Sequence, residues 1–357
     1  MVSHRVLLTG ANGFIAQHIL ATFLEAGHSV RGVVRSQSKV DQLKRIFNKY
    51  VAANQLEFGI VPDMAAPGAF DEVLRSERPF DTVLHSASPF NYRLNTKVEE
   101  FLGPAIGGST EVLRGIVRVA PTVKRVVLTG SMASVINFPA PKVTTPTKVY
   151  DESDWNPVTR EQLDTPGVSP NLVYQASKKY AEKAAWDFVE TEKPNFDVVV
   201  LNPPMVYGPL HDASIVTNPS ELGESVFNIY NQTLAPGLTE DSPIRPTGLH
   251  LYVDVRDLAK THLLAATTPA AGGNRFIVCA EQGSLTNQRI VNIARATLPE
   301  FRSHIPKGEP EKAIMDDWYT ATSAKAKKVL GITFRTPEET IQDLAVQLAE
   351  VVKRTSA

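Results

Sequence analysis

Short apolar runs rich in β-branched residues alternate along the chain with longer stretches whose apolar residues recur at helical intervals. The runs that predict strands are residues 5–9, 29–34, 56–61, 82–85, 125–129 and 198–201. The stretches that predict helices are residues 14–26, 40–50, 70–76, 98–119 and 174–190. Strands that are apolar throughout are typical of a parallel sheet covered by helices on both faces. The pattern therefore predicts an α/β fold with a doubly wound parallel sheet.

This alternation ends near Pro203. Residues 209–248 are rich in Pro, Gly, Asn and Ser, which predicts loops and short helices. A helical pattern returns at 255–266 and a strand pattern at 275–278, and the remaining chain is mainly helical. We therefore predict a main domain and a smaller, mainly helical lobe. The main domain is residues 1–203 with 251–280 returning to it, and the lobe is residues 204–250 and 281–357.

The composition is that of an ordinary globular protein. The 357 residues include 37 basic and 38 acidic side chains, and no basic block predicts a nucleic-acid partner. The single cysteine, Cys279, lies in an apolar run and is interpreted as a buried thiol. We expect no leader sequence, because the first predicted strand begins almost at once, and no apolar run reaches the roughly 18 residues of a membrane span. We expect a cytoplasmic monomer or homodimer with no metal and no membrane contact.

A glycine-containing turn follows the first predicted strand and leads directly into the first predicted helix. Gly10 and Gly13 allow the backbone to approach a pyrophosphate, which lies against the amide-rich N-terminus of such a helix. The predicted contacts are Gly10, Asn12, Gly13, Phe14 and Ile15. The position of this turn between strand and helix predicts a dinucleotide-binding, Rossmann-type domain.

The residues after the second strand indicate which of the two nicotinamide cofactors, NAD or NADP, binds. An acidic side chain there binds the ribose 2′-hydroxyl of NAD, whereas arginine suits the 2′-phosphate of NADP. Here Arg35 and Lys39 follow the strand, and no carboxylate occurs before Asp41. The segment favours NADP(H), with a solvated basic loop as the alternative interpretation.

Residues at the ends of the third and fourth strands extend the predicted cofactor site, because ligands of open α/β sheets bind at the carboxyl ends of the strands. Asp63 and Met64 are predicted beside the adenine ring. Ala87 is predicted where the cofactor passes close to the backbone. His85 is interpreted as a half-buried histidine with its hydrogen bonds satisfied, rather than a catalyst.

Three residues are candidates for the chemistry. Tyr174 and Lys178 stand four residues apart in a helical run, so both can face one cleft, and a nearby cation lowers the pKa of a phenol. Ser131 follows the fifth strand and should reach the same edge of the sheet. Two hydroxyl donors and a cation suit a reaction in which negative charge develops on a carbonyl oxygen.

Together these residues resemble the extended short-chain dehydrogenase/reductases, and more narrowly their NADPH-dependent aldehyde and ketone reductases of the methylglyoxal-reductase and dihydroflavonol-reductase type. The resemblance covers nearly the whole chain. It implies that Ser131 binds the substrate carbonyl, Tyr174 protonates its oxygen, and Lys178 holds the nicotinamide ribose. It also implies contacts from Pro203, Val206 and Ser220 to NADP(H). These last contacts follow from the resemblance alone.

Several assignments stay open at this point. An apolar substrate pocket is predicted from Phe90, Met132, Met205 and Tyr207, which are equally suited to the core. Ser134 competes with Ser131 as the catalytic serine, and Ser131 matches the family register. Gly107 occupies the position where many relatives carry an asparagine of a proton relay.

The leading hypothesis is an NADPH-dependent carbonyl reductase that transfers hydride to a small aldehyde or ketone and gives an alcohol. A nucleotide-sugar epimerase or dehydratase of the same superfamily is one alternative, although such enzymes usually take NAD. A regulator that binds NADP without turnover is another, but it would not need Ser131, Tyr174 and Lys178 together.

Overall fold

The computed structural model describes residues 3–88, 98–138, 148–281, 284–314 and 318–355. Its strands are β1 Arg5–Thr9, β2 Ser29–Val34, β3 Leu56–Ile60, β4 Thr82–His85, β5 Arg125–Thr129, β6 Val149–Tyr150, β7 Asp197–Asn202, β8 Met205–Tyr207, β9 Tyr252–Asp254, β10 Arg275–Ile277 and β11 Thr320–Ala321. Its α-helices are α1 Phe14–Glu25, α2 Gln37–Ile46, α3 Asn48–Ala52, α4 Asp71–Leu74, α5 Val98–Val119, α6 Pro170–Glu192, α7 Glu224–Thr233, α8 Val255–Thr267, α9 Asn287–Thr297, α10 Ala324–Leu330 and α11 Pro337–Thr355.

The main sheet has seven parallel strands within the described residues, in the order β10-β7-β5-β4-β1-β2-β3. Successive residues of β1 point to opposite faces of this sheet, as strand geometry requires. Val6 and Leu8 pack into one hydrophobic cluster with α1 and α8, whereas Leu7 packs into another with α5 and α6. The predicted doubly wound fold is therefore confirmed.

The carboxyl ends of the central strands meet at one edge. Thr9 lies opposite His85 in the pairing of β1 with β4, and His85 lies opposite Leu128 in the pairing of β4 with β5. Thr129 is paired with Leu201, so β7 ends at Asn202 one residue further along the same edge. The loops that leave these strands are consequently brought together.

A separate hydrophobic cluster lies in the C-terminal part of the chain, where α7, α9 and α11 pack together. Two short parallel pairs, β8 with β9 and β6 with β11, lie outside the main sheet. The return of α8 and β10 to the main sheet is in line with the predicted lobes, whose exact boundaries remain a prediction. Among the described residues, we find no helix with the length and apolar character that crossing a bilayer requires.

Candidate active site

A cleft of about 620 Å³ opens at the carboxyl edge of the sheet. It is bounded by the turn after β1, the ends of β4, β5 and β7, and the first turns of α6 and α7. Predicted residues that line it are Gly10, Gly13, Phe14, Ile15, Ser131, Tyr174, Lys178, Pro203, Met205 and Val206. The fold thus brings the predicted catalytic and phosphate-binding residues into one cleft.

The turn after β1 is built for close contact. Gly10 has φ +67°, a left-handed conformation that glycine adopts without strain, and the Gly13 amide donates to the Gly10 carbonyl at 2.8 Å. A β-carbon on Gly10 would lie 2.9 Å from the Ala87 α-carbon. Helix α1 then starts at Phe14 with no side-chain cap and no acidic residue in its first turn. Its first amides are therefore available to an anion, as a dinucleotide pyrophosphate requires.

We expect Gly10→Ala to weaken NADPH binding and to lower stability by more than the roughly 1–2 kcal/mol that left-handed backbone costs an L-residue. The additional loss comes from displacement of the Ala87 loop by the new methyl group. Gly27→Ala is the matched control, because Gly27 has φ +85° but no atom within 4 Å of a β-carbon there. Urea unfolding and NADPH titration of both variants measure the difference. Equal behaviour of the two variants would exclude a special role for the Gly10 contact.

A second cavity, of about 360 Å³, continues from the cleft past the end of β2. Both are lined by Gly10, Gly13, Ser86 and Ser88, so together they offer one elongated site. The second cavity is also lined by Asn12, Arg35, Asp63, Met64 and Ala87, all predicted cofactor contacts. A cationic side chain at one end and a glycine turn in the middle fit a dinucleotide with a 2′-phosphate. Lys39 does not line either cavity, and its ammonium lies 3.4 Å from the Gln42 amide oxygen.

Tyr174 is held in its neutral form. Burial raises the pKa of its phenol, and a hydrogen bond with Ser131 acts in the opposite direction. The ammonium of Lys178 lies 5.6 Å from the centre of the Tyr174 ring, and it donates to the Ser88 hydroxyl at 2.7 Å. The predicted lowering of the Tyr174 pKa is therefore not what this arrangement produces, because burial of the phenol outweighs the hydrogen bond with Ser131. Burial also lowers the pKa of Lys178 to about 8.

Ser131 and Ser134 have different surroundings. The Ser131 amide donates to the Asn202 side-chain oxygen at 2.9 Å, and the Ser131 hydroxyl accepts from the Ala133 amide at 3.1 Å while facing Tyr174. Ser134 is fully buried, does not line the cleft, and donates to the Glu182 carboxylate at 2.5 Å. This supports Ser131 rather than Ser134 as the serine that meets a substrate.

Three further predictions concern residues beside the cleft. His85 is fully buried rather than half-buried, and burial lowers its pKa to about 4. Its Nδ1 lies 2.9 Å from the Thr9 hydroxyl, but its Nε2 lacks a partner among the described residues, so it is not fully satisfied. A β-carbon on Gly107 would lie 3.4 Å from the Ala65 β-carbon. Cys279 is buried as predicted.

The structure separates the residues that were predicted to form a substrate pocket. Met132 and Met205 line a cavity of about 150 Å³ that adjoins Ser131 and Tyr174. Tyr207 instead packs in the hydrophobic cluster of the C-terminal lobe and lines neither the cleft nor this cavity. Phe90 lies outside the described residues. Seven other residues that line this cavity were not predicted from the sequence, namely Ala133, Ile136, Phe138, Asn171, Gln175, Pro204 and Leu249.

Ser220, a predicted contact of NADP(H), lies on the surface. It is exposed in a short 3₁₀ helix, Pro219–Glu221, and does not line the cleft. The cleft is instead lined by Gly223 and Ser225 at the start of α7. Gly223 is the residue before α7, and no side chain caps this helix. This local signal marks a second helix N-terminus at the cleft, after that of α1, whose amides are free of a side-chain cap.

The family model described as "NAD dependent epimerase/dehydratase family" matches residues 6–280. The chain belongs to this family. Within the epimerase/dehydratase family it is 37% identical to a ketoreductase of Aspergillus niger, covering 98% of each chain. It is 34% identical to the NADPH-dependent methylglyoxal reductase of Saccharomyces cerevisiae, covering 96% of this chain and 97% of that one.

The crystal structure of the yeast methylglyoxal/isovaleraldehyde reductase complexed with NADPH superimposes with a TM-score of 0.88, at 33% identity over 98% of this chain and 99% of that one. The predicted membership of the extended short-chain dehydrogenase/reductases is confirmed, as is a fold shared with a reductase of this family. These relatives are reductases, in agreement with the leading hypothesis from the sequence.

Proposed function

We propose that the chain is an NADPH-dependent reductase of aldehydes or ketones. The observation that carries the proposal is the meeting of Ser131, Tyr174 and Lys178 in a cleft that continues past the Gly10 turn to Arg35. Bound NADPH supplies a hydride to the carbonyl carbon and is left as NADP⁺. Ser131 and Tyr174 hydrogen-bond the carbonyl oxygen, and the Tyr174 hydroxyl transfers its proton to that oxygen to complete the alcohol.

The electrostatics of the site suit this direction. Because burial raises the pKa of Tyr174, the phenol holds its proton at neutral pH and is ready to donate it. The tyrosinate that remains is stabilised by the Ser131 hydroxyl, which lowers the same pKa. Lys178, with a pKa of about 8, keeps an ammonium near neutral pH that would bind the nicotinamide ribose.

The small cavity beside the catalytic residues favours a substrate with one apolar arm. Its volume is about 150 Å³, and its walls include Met132, Ile136, Phe138 and Leu249. Apolar cavities of about this size accept a benzene ring. Both ends of the Gln175 amide are already bonded to Phe138 or Asn156, so this amide adds no free polar group. We infer that a phenyl or branched alkyl substituent of the carbonyl enters here.

The alternatives from the sequence have less support. The family includes epimerases and dehydratases by its description, but the relatives above 30% identity that cover nearly the whole chain include a ketoreductase, a methylglyoxal reductase and an aldehyde reductase. A regulator without turnover does not account for Ser131 and Tyr174 in hydrogen-bonding contact beside Lys178. We keep a cytoplasmic location as part of the proposal, supported by a lone buried cysteine that cannot form an intramolecular disulfide.

The direct test is oxidation of NADPH, followed by absorbance, with a panel of aldehydes and ketones that differ in the size of one apolar arm. We expect oxidation that depends on the added carbonyl, with an alcohol as product in equal amount. NADPH oxidation without dependence on any carbonyl would contradict the proposal.

We expect Arg35→Ala to raise the Michaelis constant for NADPH at least about tenfold while changing that for NADH little, since a charged hydrogen bond contributes about 1.5–3 kcal/mol. Arg35 lines the cofactor cavity, whereas Lys39 in the same basic segment does not. Lys39→Ala is therefore the matched control and should leave the preference for NADPH almost unchanged. A preference lost equally in both variants would mean that general positive charge, rather than the Arg35 contact, selects the cofactor.

A further inference from the structure

A buried amide lies directly behind Ser131. Asn202 is the last residue of β7 and is 0% exposed. Its side-chain oxygen accepts from the Ser131 amide at 2.9 Å, and its side-chain nitrogen donates to Glu182 at 3.3 Å. Gly130 makes room for this amide, because a β-carbon there would lie 2.2 Å from the Asn202 oxygen. The backbone at Ser131 is thus held by a side chain from the neighbouring strand.

Glu182 is itself fixed by a buried arginine. Arg275, the first residue of β10, donates to both Glu182 oxygens, at 2.7 and 3.0 Å. The same guanidinium also donates to the carbonyls of Glu152 and Asp154, and Arg275 and Glu182 are 9% and 4% exposed. A paired, planar guanidinium holds a carboxylate in one orientation.

This ion pair decides which way the Asn202 amide faces. An ionised carboxylate only accepts hydrogen bonds, so Glu182 takes the nitrogen end of the amide. The oxygen end is then turned to the Ser131 amide. The opposite orientation would place two donors against each other at Ser131 and an oxygen against a carboxylate at Glu182.

We propose that Asn202 and Glu182 are positioning residues. They hold the backbone of Ser131, and therefore its carbonyl-binding hydroxyl, in place for hydride transfer. The inference rests on the proposed reductase function. Glu182 lies on α6 four residues after Lys178 and eight after Tyr174, so all three share one face of that helix. One helix therefore carries the proton donor and also the carboxylate that orients the second hydrogen-bond donor.

A double-mutant cycle tests whether Asn202 acts through Ser131. The cycle consists of Asn202→Ala, Ser131→Ala and the double variant. For each protein we measure kcat with a carbonyl compound that the wild type reduces, and NADPH affinity by cofactor fluorescence. We expect Asn202→Ala to lower kcat by about 10- to 100-fold, as displacement of a catalytic group does, with NADPH affinity changed less than about twofold. In the Ser131→Ala background the further loss should be less than about threefold, because residues that act as a unit are not additive.

Trp186→Phe is the matched control. It removes the indole bond to Glu182, which measures 3.3 Å, but leaves the Asn202 contact in place, and it should keep kcat within about twofold. If Asn202→Ala does not fold, Asn202→Leu takes its place in the same cycle, with the same expectation, since it leaves the ion pair of Glu182 with Arg275 intact. The positioning role would be overturned if the losses in kcat of the two single variants add fully in the double variant, or if Trp186→Phe loses as much kcat as Asn202→Ala. Either result would leave the reductase function intact. A wild-type protein that reduces no carbonyl would overturn both.

Discussion

Tyr174→Phe is expected to lower kcat for carbonyl reduction by at least about 100-fold, the usual contribution of a positioned general acid. Phenylalanine preserves the ring that lines the cleft but has no proton to give to the developing alkoxide. The Ser131 hydroxyl remains and can still polarise the carbonyl, so a small residual rate is expected. Steady-state NADPH oxidation with the best carbonyl of the panel measures the loss, and cofactor fluorescence should show NADPH binding close to wild type.

Tyr180→Phe provides the control on the same helix. Tyr180 is half-buried, does not line the cleft and contacts Arg160 and Lys179 through its ring. Its variant should therefore turn over at nearly the wild-type rate. Tyr174→Phe with undiminished turnover would remove Tyr174 from the mechanism, and a loss of NADPH binding would instead assign it to the cofactor site.

Glu182→Leu is expected to destabilise the protein by about 3–5 kcal/mol, because removing one partner of a buried ion pair leaves an uncompensated charge. The stranded charge is Arg275, which is only 9% exposed. Urea unfolding of wild type and variant measures the difference in the free energy of unfolding.

The double variant Glu182→Leu with Arg275→Met removes both charges and should recover much of that loss, since apolar replacement of a whole buried pair is often neutral. Glu300→Leu is a useful comparison, because it deletes the exposed ion pair of Glu300 with Lys353 and should not shift the unfolding midpoint measurably. No recovery in the double variant would show that the loss arises from packing rather than from the stranded charge.

The features that the sequence predicted well depend on neighbours in the chain. The Gly10 turn is recognised because a strand, a glycine and a helix follow each other directly, and Tyr174 with Lys178 because a helix repeats every 3.6 residues. The ends of parallel strands gather at one edge, which brings Ser131 to Tyr174 although they are far apart in the chain.

The features that it missed depend on contacts between distant segments. Arg275 reaches Glu182 across 93 residues, and no local pattern signals the pair. Phe138 and Leu249 meet in the small cavity from separate loops. Tyr207 was predicted beside Met205 because the two are only two residues apart. In strand β8 that separation is about 7 Å, which places Tyr207 in the core of the lobe. The predicted direction of the Tyr174 pKa shift was wrong, because the four-residue spacing in the sequence indicates a nearby cation but not the burial of the phenol.

The common face of α6 has a consequence for how this part of the chain tolerates change in length. Tyr174, Lys178 and Glu182 follow one another at intervals of four residues, and each contacts a different segment of the chain, through Ser131, Ser88 and Arg275 respectively. Inserting or deleting one residue between Tyr174 and Glu182 would rotate one end of the segment against the other by about 100°. Either the proton donor would leave the cleft or the carboxylate would leave its arginine. Natural relatives that keep this chemistry should therefore show no insertions or deletions between these positions.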